Sequence, residues 1–225
     1  MLDRTAIISK LHEKLEPLPY IYAFWLEGAD AIGTVDEYSD IDFWVDFEDE
    51  HEEQAYEAVE TVLSELAEID YKYIMPKWED HPKLRQRIYH LAGTSEYLMI
   101  DFCWQFHSRP KDEYAYYEND SVEGAKVIFD KKGIIQHKPL NLTDFTERNK
   151  TCFEKAKFHR DNYIRAEKYI RRRQYLEAYA HYVEYLLEPL IDILRLIYTP
   201  AYADYRFCHI SRHMSILMQS VQSFL

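Results

Sequence analysis

The sequence predicts an α+β fold, in which a mixed sheet with flanking helices is followed by an all-α helical bundle. Two observations support this prediction. Residues 1–140 alternate short aromatic and β-branched runs with amphipathic helical patterns, as expected for a sheet that is covered by helices. Residues 141–225 instead place apolar side chains at helical spacing. We therefore predict two domains, 1–140 and 141–225.

The predicted elements of the first domain begin with a helix at 3–16, which Pro17 ends. A nearly unbroken aromatic and β-branched run predicts a buried strand at 20–26. A glycine-containing loop at 27–39 is followed by a second strand at 41–47. The remaining predicted elements are a helix at 50–68 and strands at 71–75, 86–92, 96–106 and 126–130.

Two long helices are predicted for the second domain. The first covers 143–172 and has Thr143 or Asp144 as its N-terminal cap. The second covers 174–198, and we expect Pro189 to kink it, because proline removes a donor and crowds the preceding turn. The rest of the chain, to its last residue, is also predicted to be helical.

The chain is acidic, with 40 aspartates and glutamates against 27 lysines and arginines, and its formal net charge is −13. Such a chain repels nucleic acid as a whole, so we expect no nucleic-acid partner. The basic run at 165–173 is interpreted as a solvated helix face rather than an RNA-binding patch. No apolar run is long enough to cross a bilayer, so we expect no membrane partner.

The cysteines and the first residues favour a cytoplasmic location. Cys103, Cys152 and Cys208 are odd in number and far apart, which argues against a disulfide framework and against a CxxC zinc site. The start of the chain shows no basic segment followed by an apolar stretch, which a secretory signal would need. A reducing, cytoplasmic setting is therefore predicted.

The most informative segment is the loop that leads into the second predicted strand. Asp40 and Asp42 are two residues apart at the head of that strand, so their side chains point to the same face. Two neighbouring carboxylates repel each other and need a cation, and oxygen ligands suit Mg²⁺. Gly28 and Gly33 lie upstream, where the absence of a Cβ would let backbone N–H groups approach phosphates.

This combination, Gly28-x-x-x-x-Gly33 followed by Ser39-Asp40-Ile41-Asp42, resembles the signature of the DNA polymerase β-like nucleotidyltransferase superfamily. Within it, the chain is most similar to small bacterial enzymes of the aminoglycoside nucleotidyltransferase type and to minimal nucleotidyltransferase antitoxins. The resemblance covers about residues 20–106. It implies a nucleotidyltransferase-type sheet, Mg²⁺ as cofactor and ATP as co-substrate.

The resemblance also implies residue roles. Asp40 and Asp42 would ligate Mg²⁺, and Asp101, in a later apolar strand, matches the third carboxylate that would help to hold metal and accept a proton. A solvent-facing strand residue is the alternative interpretation of Asp101. The nucleotide would contact Gly28, Ala29, Gly33 and Ser39. Ala29 stands where the family has serine, and the missing hydroxyl would cost about 1.5–3 kcal/mol of binding.

Three functions follow from the resemblance. The first is transfer of a nucleoside monophosphate from Mg-ATP, or another nucleoside triphosphate, to a hydroxyl of a small molecule, with release of pyrophosphate. The leading acceptor is aminoglycoside-like, and domain 141–225 would help to bind it. The second is modification of a protein acceptor, as in AMPylating antitoxins. The third is a catalytically degenerate module that binds nucleotide without turnover.

Overall fold

A computed structural model describes residues 2–118, 120 and 122–210. The chain forms two compact units, Met1–Leu140 and Asn141–Leu225. No helix among the described residues is both long and apolar enough to cross a membrane. The helix that we predicted for the end of the chain lies, from residue 211 onward, outside the described residues.

Among its described residues, the first unit contains three α-helices, which all lie before residue 67, and eight strands. The helices are α1 (Arg4–Leu15), α2 (Gly28–Ile32) and α3 (Glu52–Leu66). The strands are β1 (Ile21–Leu26), β2 (Ile41–Phe47), β3 (Ile69–Ile74), β4 (Leu84–Leu91), β5 (Ile100–Phe106), β6 (Tyr116–Tyr117), β7 (Lys126–Asp130) and β8 (His137–Lys138). The predicted loop at 27–39 is thus wrong in part, since it contains the single-turn helix α2, which ends at Gly33 in the left-handed conformation.

Six of these strands form one mixed sheet in the order β3-β4-β5-β2-β1-β7. All neighbouring pairs are antiparallel except β2 and β5, which are parallel. The short strands β6 and β8 pair separately. With flanking helices and a helical second unit, the predicted α+β class is confirmed.

One face of the sheet carries the hydrophobic core. The strands contribute alternate residues, such as Phe43 of β2 and Phe102 of β5, whose rings stack with their centroids 4.7 Å apart. The helices cover them with one apolar stripe each, as the period of 3.6 residues requires. The stripe residues are Ile7, Leu11 and Leu15 of α1 and Ala55, Val59, Val62 and Leu63 of α3. The opposite side chains of the same strands are therefore available for other contacts.

The second unit contains shorter helices than we predicted. They are α4 (Thr146–Asp161), α5 (Ile164–Arg171), α6 (Tyr175–Tyr182) and α7 (Glu188–Tyr198). A single helix over 143–172 is therefore wrong. Asn162 interrupts it, because its backbone N–H bonds to His159 O at 2.9 Å and its side chain donates to Phe158 O at 2.7 Å. These local bonds compete with continuation of the helix.

Two further details of this unit differ from the prediction. The side chain that caps its first turn belongs to Asn141, not Thr143 or Asp144, and it accepts from Thr143 N at 3.2 Å. Pro189 lies in the first turn of α7, and the turn before it, Val183–Leu187, is a π-helix. The wider turn accommodates a residue that has no N–H and that crowds the preceding carbonyl.

Candidate functional site

The sheet places two of the predicted site residues beside each other. Strands β2 and β5 are parallel and in register, with Asp42 opposite Asp101. Facing residues of neighbouring strands point to the same side, at a strand spacing of about 4.8 Å. Both carboxylates lie on the face away from the core, while Phe43 and Phe102 next to them point into it. Asp40 comes one residue before β2 begins.

These carboxylates repel each other. Burial, together with the negative charges of Asp101, Asp40 and Glu27, raises the pKa of Asp42 to about 6, although the positive charge of Arg4 opposes this rise. Burial also raises the pKa of Asp101 and that of Asp40, with a contribution to Asp101 from Asp40. The arrangement concentrates negative charge at one end of the parallel strand pair. A bound cation would relieve this repulsion.

The side chain of Gln86 orients Asp101. Its Nε2 atom, on the neighbouring strand β4, donates to both carboxylate oxygens of Asp101 at 2.7 Å. The Cys103 thiol lies 3.7 Å from the same carboxylate. Sequence analysis missed Gln86, because its position beside Asp101 depends on the antiparallel pairing of β4 and β5. Strand β4 also contains Arg85, Arg87 and His90, so no local signal in the sequence singles out Gln86.

Gly28 packs its backbone against the Asp42 carboxylate. A Cβ at this position would overlap Asp42 Oδ2 and come within 3.2 Å of its Cγ, and the φ of +55° is one that glycine favours. The preceding N–H, of Glu27, donates to Asp42 O at 3.0 Å. The predicted glycine and the predicted carboxylate are therefore in contact, so the backbone near Gly28 can approach whatever Asp42 binds.

The other predicted nucleotide contacts lie on α2 and in the loop after it. Ala29 is in α2, and its carbonyl accepts the N–H groups of Gly33 and Thr34. Gly33 ends α2 with a φ of +72° and would have open space around a Cβ. The Ser39 hydroxyl donates to Asp36 Oδ1 at 2.7 Å and accepts from Asp36 N at 3.0 Å. In the structure Ser39 thus closes the loop that precedes Asp40.

The donor chemistry suits a hard divalent cation, although a complete ligand set is not formed. Asp40, Asp42 and Asp101 supply carboxylate oxygens, which Mg²⁺ prefers, and burial and mutual repulsion raise their pKa values. Among the described residues, however, no three His, Cys, Asp or Glu side chains are grouped so that they could hold a metal ion. Phosphate oxygens and waters commonly complete a Mg²⁺ site.

A cavity of about 250 Å³ lies on the same side of the sheet as Asp42. Its residues include Trp25, Glu27, Trp44 and Tyr116. The two indole rings stack at 5.8 Å, and Trp25 Nε1 donates to the Tyr116 hydroxyl at 2.7 Å. That hydroxyl donates to Glu27, and the N–H groups of both indoles also face the Glu27 carboxylate. Burial raises the pKa of Glu27, and these donors and Arg109 lower it.

Comparison with known proteins agrees with this geometry. Residues 8–91, which lie within the first unit, match the family model described as a nucleotidyltransferase domain. The matched span includes Gly28, Asp40 and Asp42 and ends before Asp101. Such a domain supports nucleotidyl transfer that depends on a nucleoside triphosphate. A comparison with curated proteins gives no significant match.

Proposed function

We propose that the protein transfers a nucleoside monophosphate from Mg-ATP, or from another nucleoside triphosphate, to a hydroxyl of a small molecule and releases pyrophosphate. One observation carries this proposal. Asp42 and Asp101 lie in register on the parallel strands β2 and β5, and the backbone of Gly28 rests against the Asp42 carboxylate. The carboxylates and the backbone that begins at Gly28 therefore lie together in the first unit, in which residues 8–91 match a nucleotidyltransferase domain.

In this proposal, Asp40 and Asp42 would hold Mg²⁺, which would neutralise charge on the triphosphate. Asp101 would help to hold metal, and its carboxylate, oriented by Gln86, would accept the proton of the acceptor hydroxyl. The acceptor oxygen would form a bond to the α-phosphorus as the bond to the β-phosphate oxygen breaks, so that pyrophosphate leaves. The protein would contribute chiefly position and charge.

The segment from Gly28 to Gly33 would lie along the phosphates. Its glycine start leaves room next to Asp42, so backbone N–H groups would supply the contacts. Ala29 cannot donate the hydroxyl hydrogen bond that the family's serine makes. The loop hydroxyl of Ser39 is engaged by Asp36 in the structure, and a nucleotide contact to Ser39 would have to share or replace that bond.

The cavity beside Asp42 supports an acceptor with cationic groups, such as an aminoglycoside-like molecule. It has three carboxylates on its lining, those of Glu27, Glu113 and Glu123, and one guanidinium, that of Arg109. The Arg109 Nε atom is 3.5 Å from Glu113 Oε2, so part of its charge is already matched. Aromatic walls with excess negative charge favour an ammonium group. The helical unit, Asn141–Leu225, is proposed as a second contributor to acceptor binding.

A thermal-unfolding scan with each of the four nucleoside triphosphates, with and without Mg²⁺, tests the donor site. A ligand at one hundred times its dissociation constant adds about 2.7 kcal/mol to the free energy of unfolding. For a chain of this length, the midpoint should rise by roughly 5–10 °C. We expect the rise to need Mg²⁺, to vanish in Asp42→Asn and to persist in Glu13→Gln, an exposed control on α1.

Pyrophosphate release with the best nucleotide then tests the reaction. We expect release when an amine-bearing polyol is added and little release without it. Release that needs a protein would instead favour the protein-modifying alternative, and nucleotide binding without release would favour the degenerate module. The absence of any nucleotide-dependent shift in the folded protein would contradict the proposal.

A further inference from the structure

One guanidinium, that of Arg4, ties together the two segments on either side of the candidate site. Arg4 is the first residue of α1. Its Nε and Nη2 atoms donate to Asp30 Oδ2, in α2, at 3.0 and 2.6 Å. Its Nη1 atom donates to Ser39 O at 2.7 Å, and Nη2 also donates to Asp40 O. Arg4 thus contacts both the segment that begins at Gly28 and the backbone of a predicted metal ligand.

The contacts of Arg4 with Asp30 and Ser39 are partly buried, whereas its contact with Asp40 O is exposed. The Arg4 side chain is 15% exposed and that of Asp30 is 6% exposed, so their ion pair is screened less than a surface pair. The partners lie 26 to 36 residues away along the chain. A planar guanidinium can satisfy a carboxylate and two carbonyls at fixed angles, whereas a lysine ammonium is a point charge on a flexible stem.

The loop between the two contact points has little other support from regular structure. It runs from Gly33 to Asp40, and a turn around Asp36 and Ser39 organises its second half. At the other end of this region, the Glu27 N–H donates to Asp42 O and so holds the residue before Gly28 against strand β2. Loss of the Arg4 contacts would therefore let the Asp40 backbone and α2 move apart while the sheet stayed intact.

We propose that Arg4 is a positioning residue for the nucleotide site, because it fixes the Asp40 backbone relative to α2 and so keeps Gly28 against Asp42. The inference rests on the proposed function. Arg4 acts through these groups and need not touch the nucleotide. Its loss should weaken Mg-nucleotide binding more than it weakens the fold.

The test compares Arg4→Gln and Arg4→Lys with Lys10→Gln, a control on the same helix whose side chain pairs with Glu13. Titration calorimetry measures the affinity for the Mg-nucleotide that stabilises the parent protein. We expect about tenfold weaker binding for Arg4→Gln, as lost hydrogen bonds to charged groups predict, and an incomplete recovery for Arg4→Lys. Lys10→Gln should bind as the parent does.

A rescue experiment separates positioning from general stabilisation. Millimolar guanidinium added to Arg4→Ala should restore a large part of the affinity, and methylammonium at the same concentration should not. If Arg4→Ala does not fold, Asp30→Asn, which keeps both carbonyl contacts, should bind several-fold more weakly than the parent. Hydrogen exchange at residues 36–42 should be faster in every variant with weakened binding.

The outcomes distinguish the two proposals. Parent-like affinity in Arg4→Gln, together with lost binding in Asp42→Asn, would overturn the role of Arg4 and leave the proposed function standing. If Arg4→Ala instead loses affinity that guanidinium does not restore and also shows a large fall in its unfolding midpoint, that result would show that Arg4 stabilises the fold in general and does not position the nucleotide site. If the parent binds no nucleotide, the proposed function fails, and the inference about Arg4 fails with it.

Discussion

The two faces of the six-stranded sheet are built by the same strands but have opposite chemistry. On the covered face, β2 and β5 place Phe43, Val45 and Phe102 under α1 and α3. On the opposite face, which we call the polar face, the alternate residues of these strands are mainly polar and include Asp42 and Asp101. Some of them, such as Asp46 and Gln105, are buried under other parts of the chain. Alternation of side chains along a strand separates the two sets completely.

The difference shows how one element can carry both stability and a reactive site. The covered face gains free energy from burial of apolar side chains, whereas the polar face carries mutually repelling carboxylates at one end. A change on the covered face should therefore reduce stability, and a change at the carboxylates should reduce binding. Neighbouring residues of β2 allow this contrast to be tested within one strand.

The largest effect is expected from Phe43→Ala. The ring is fully buried, stacks on Phe102 and meets Phe24 edge-on at 5.6 Å. Its removal should lower the free energy of unfolding by about 3–5 kcal/mol, through lost burial and the cavity that is left. Denaturant unfolding measures the change. A loss below about 1 kcal/mol would show that the core is not centred on this face.

The adjacent substitution, Asp42→Asn, should act in the opposite direction. Asp42 has a pKa raised from 3.8 to about 6, so the folded state binds its proton more tightly than the unfolded state. Its charge therefore destabilises the fold above about pH 6, and the cost disappears as the pH falls toward 4. Without divalent cations at pH 7, Asp42→Asn should be more stable by about 2 kcal/mol.

Denaturant unfolding in a metal chelator, at pH 7 and pH 4.5, checks this prediction. The stabilisation by Asp42→Asn should be smaller at the lower pH, since the parent then carries less charge at that position. The same variant should lose the Mg-nucleotide shift. A destabilised Asp42→Asn would mean that the carboxylate is already neutralised within the fold.

Much of this contrast could be predicted from the local pattern, because alternation is a local property. Strand β2 was predicted at 41–47 and has those bounds, and β7 was likewise predicted at 126–130. The predicted pair Asp40 and Asp42 also follows from spacing alone. Their chemical roles stay predictions.

The other features of the site depend on contacts between distant parts of the chain, which the spacing of residues along the sequence does not reveal. Asp42 lies opposite Asp101, 59 residues later in the chain, because β2 and β5 pair in parallel. Arg4 contacts Asp40, which is 36 residues away in the sequence. Sequence analysis proposed Asp101 from family resemblance and did not anticipate Arg4. In the second unit, Asn162 ends helix α4 through one side-chain and one backbone hydrogen bond, within a stretch that we predicted to be a continuous helix. Local competition of this kind overrides the pattern.

Gly28→Ala and Gly93→Ala sharpen the comparison with a smaller effect. Both glycines have positive φ, +55° and +80°, so alanine at either should cost about 1–2 kcal/mol of backbone strain. A Cβ at Gly93 meets nothing within 4 Å, whereas one at Gly28 overlaps the Asp42 carboxylate. We expect Gly28→Ala to lose at least as much stability as Gly93→Ala, because the overlap adds to the strain, and we expect a loss of the Mg-nucleotide shift only in Gly28→Ala. If Mg-nucleotide raised the unfolding midpoint equally in both variants, the proposed contact between the Gly28 segment and the nucleotide would be contradicted.

The smallest effect concerns the pair formed by His90 on β4 and Asp70 on the neighbouring edge strand β3. His90 Nδ1 lies 2.6 Å from Asp70 Oδ1, and Nε2 lies 3.0 Å from Ser95 O, so the protonated ring can donate to both acceptors. The hydrogen bond to Asp70 is the main cause that raises the pKa of His90. A raised folded-state pKa contributes stability below the unfolded value, about 6.5, and that contribution is lost as the pH rises through the folded value.

The contribution should be less than about 1 kcal/mol, because Asp70 is partly exposed. Parent and His90→Gln should therefore differ most in free energy of unfolding at pH 5.5 and least at pH 8.5, with equal Mg-nucleotide shifts. Since His90 and Gln86 are four residues apart on β4, they lie on the same polar face of the sheet. A nucleotide effect in His90→Gln would extend the site along that face, whereas its absence would confine the site to the end that carries the carboxylates.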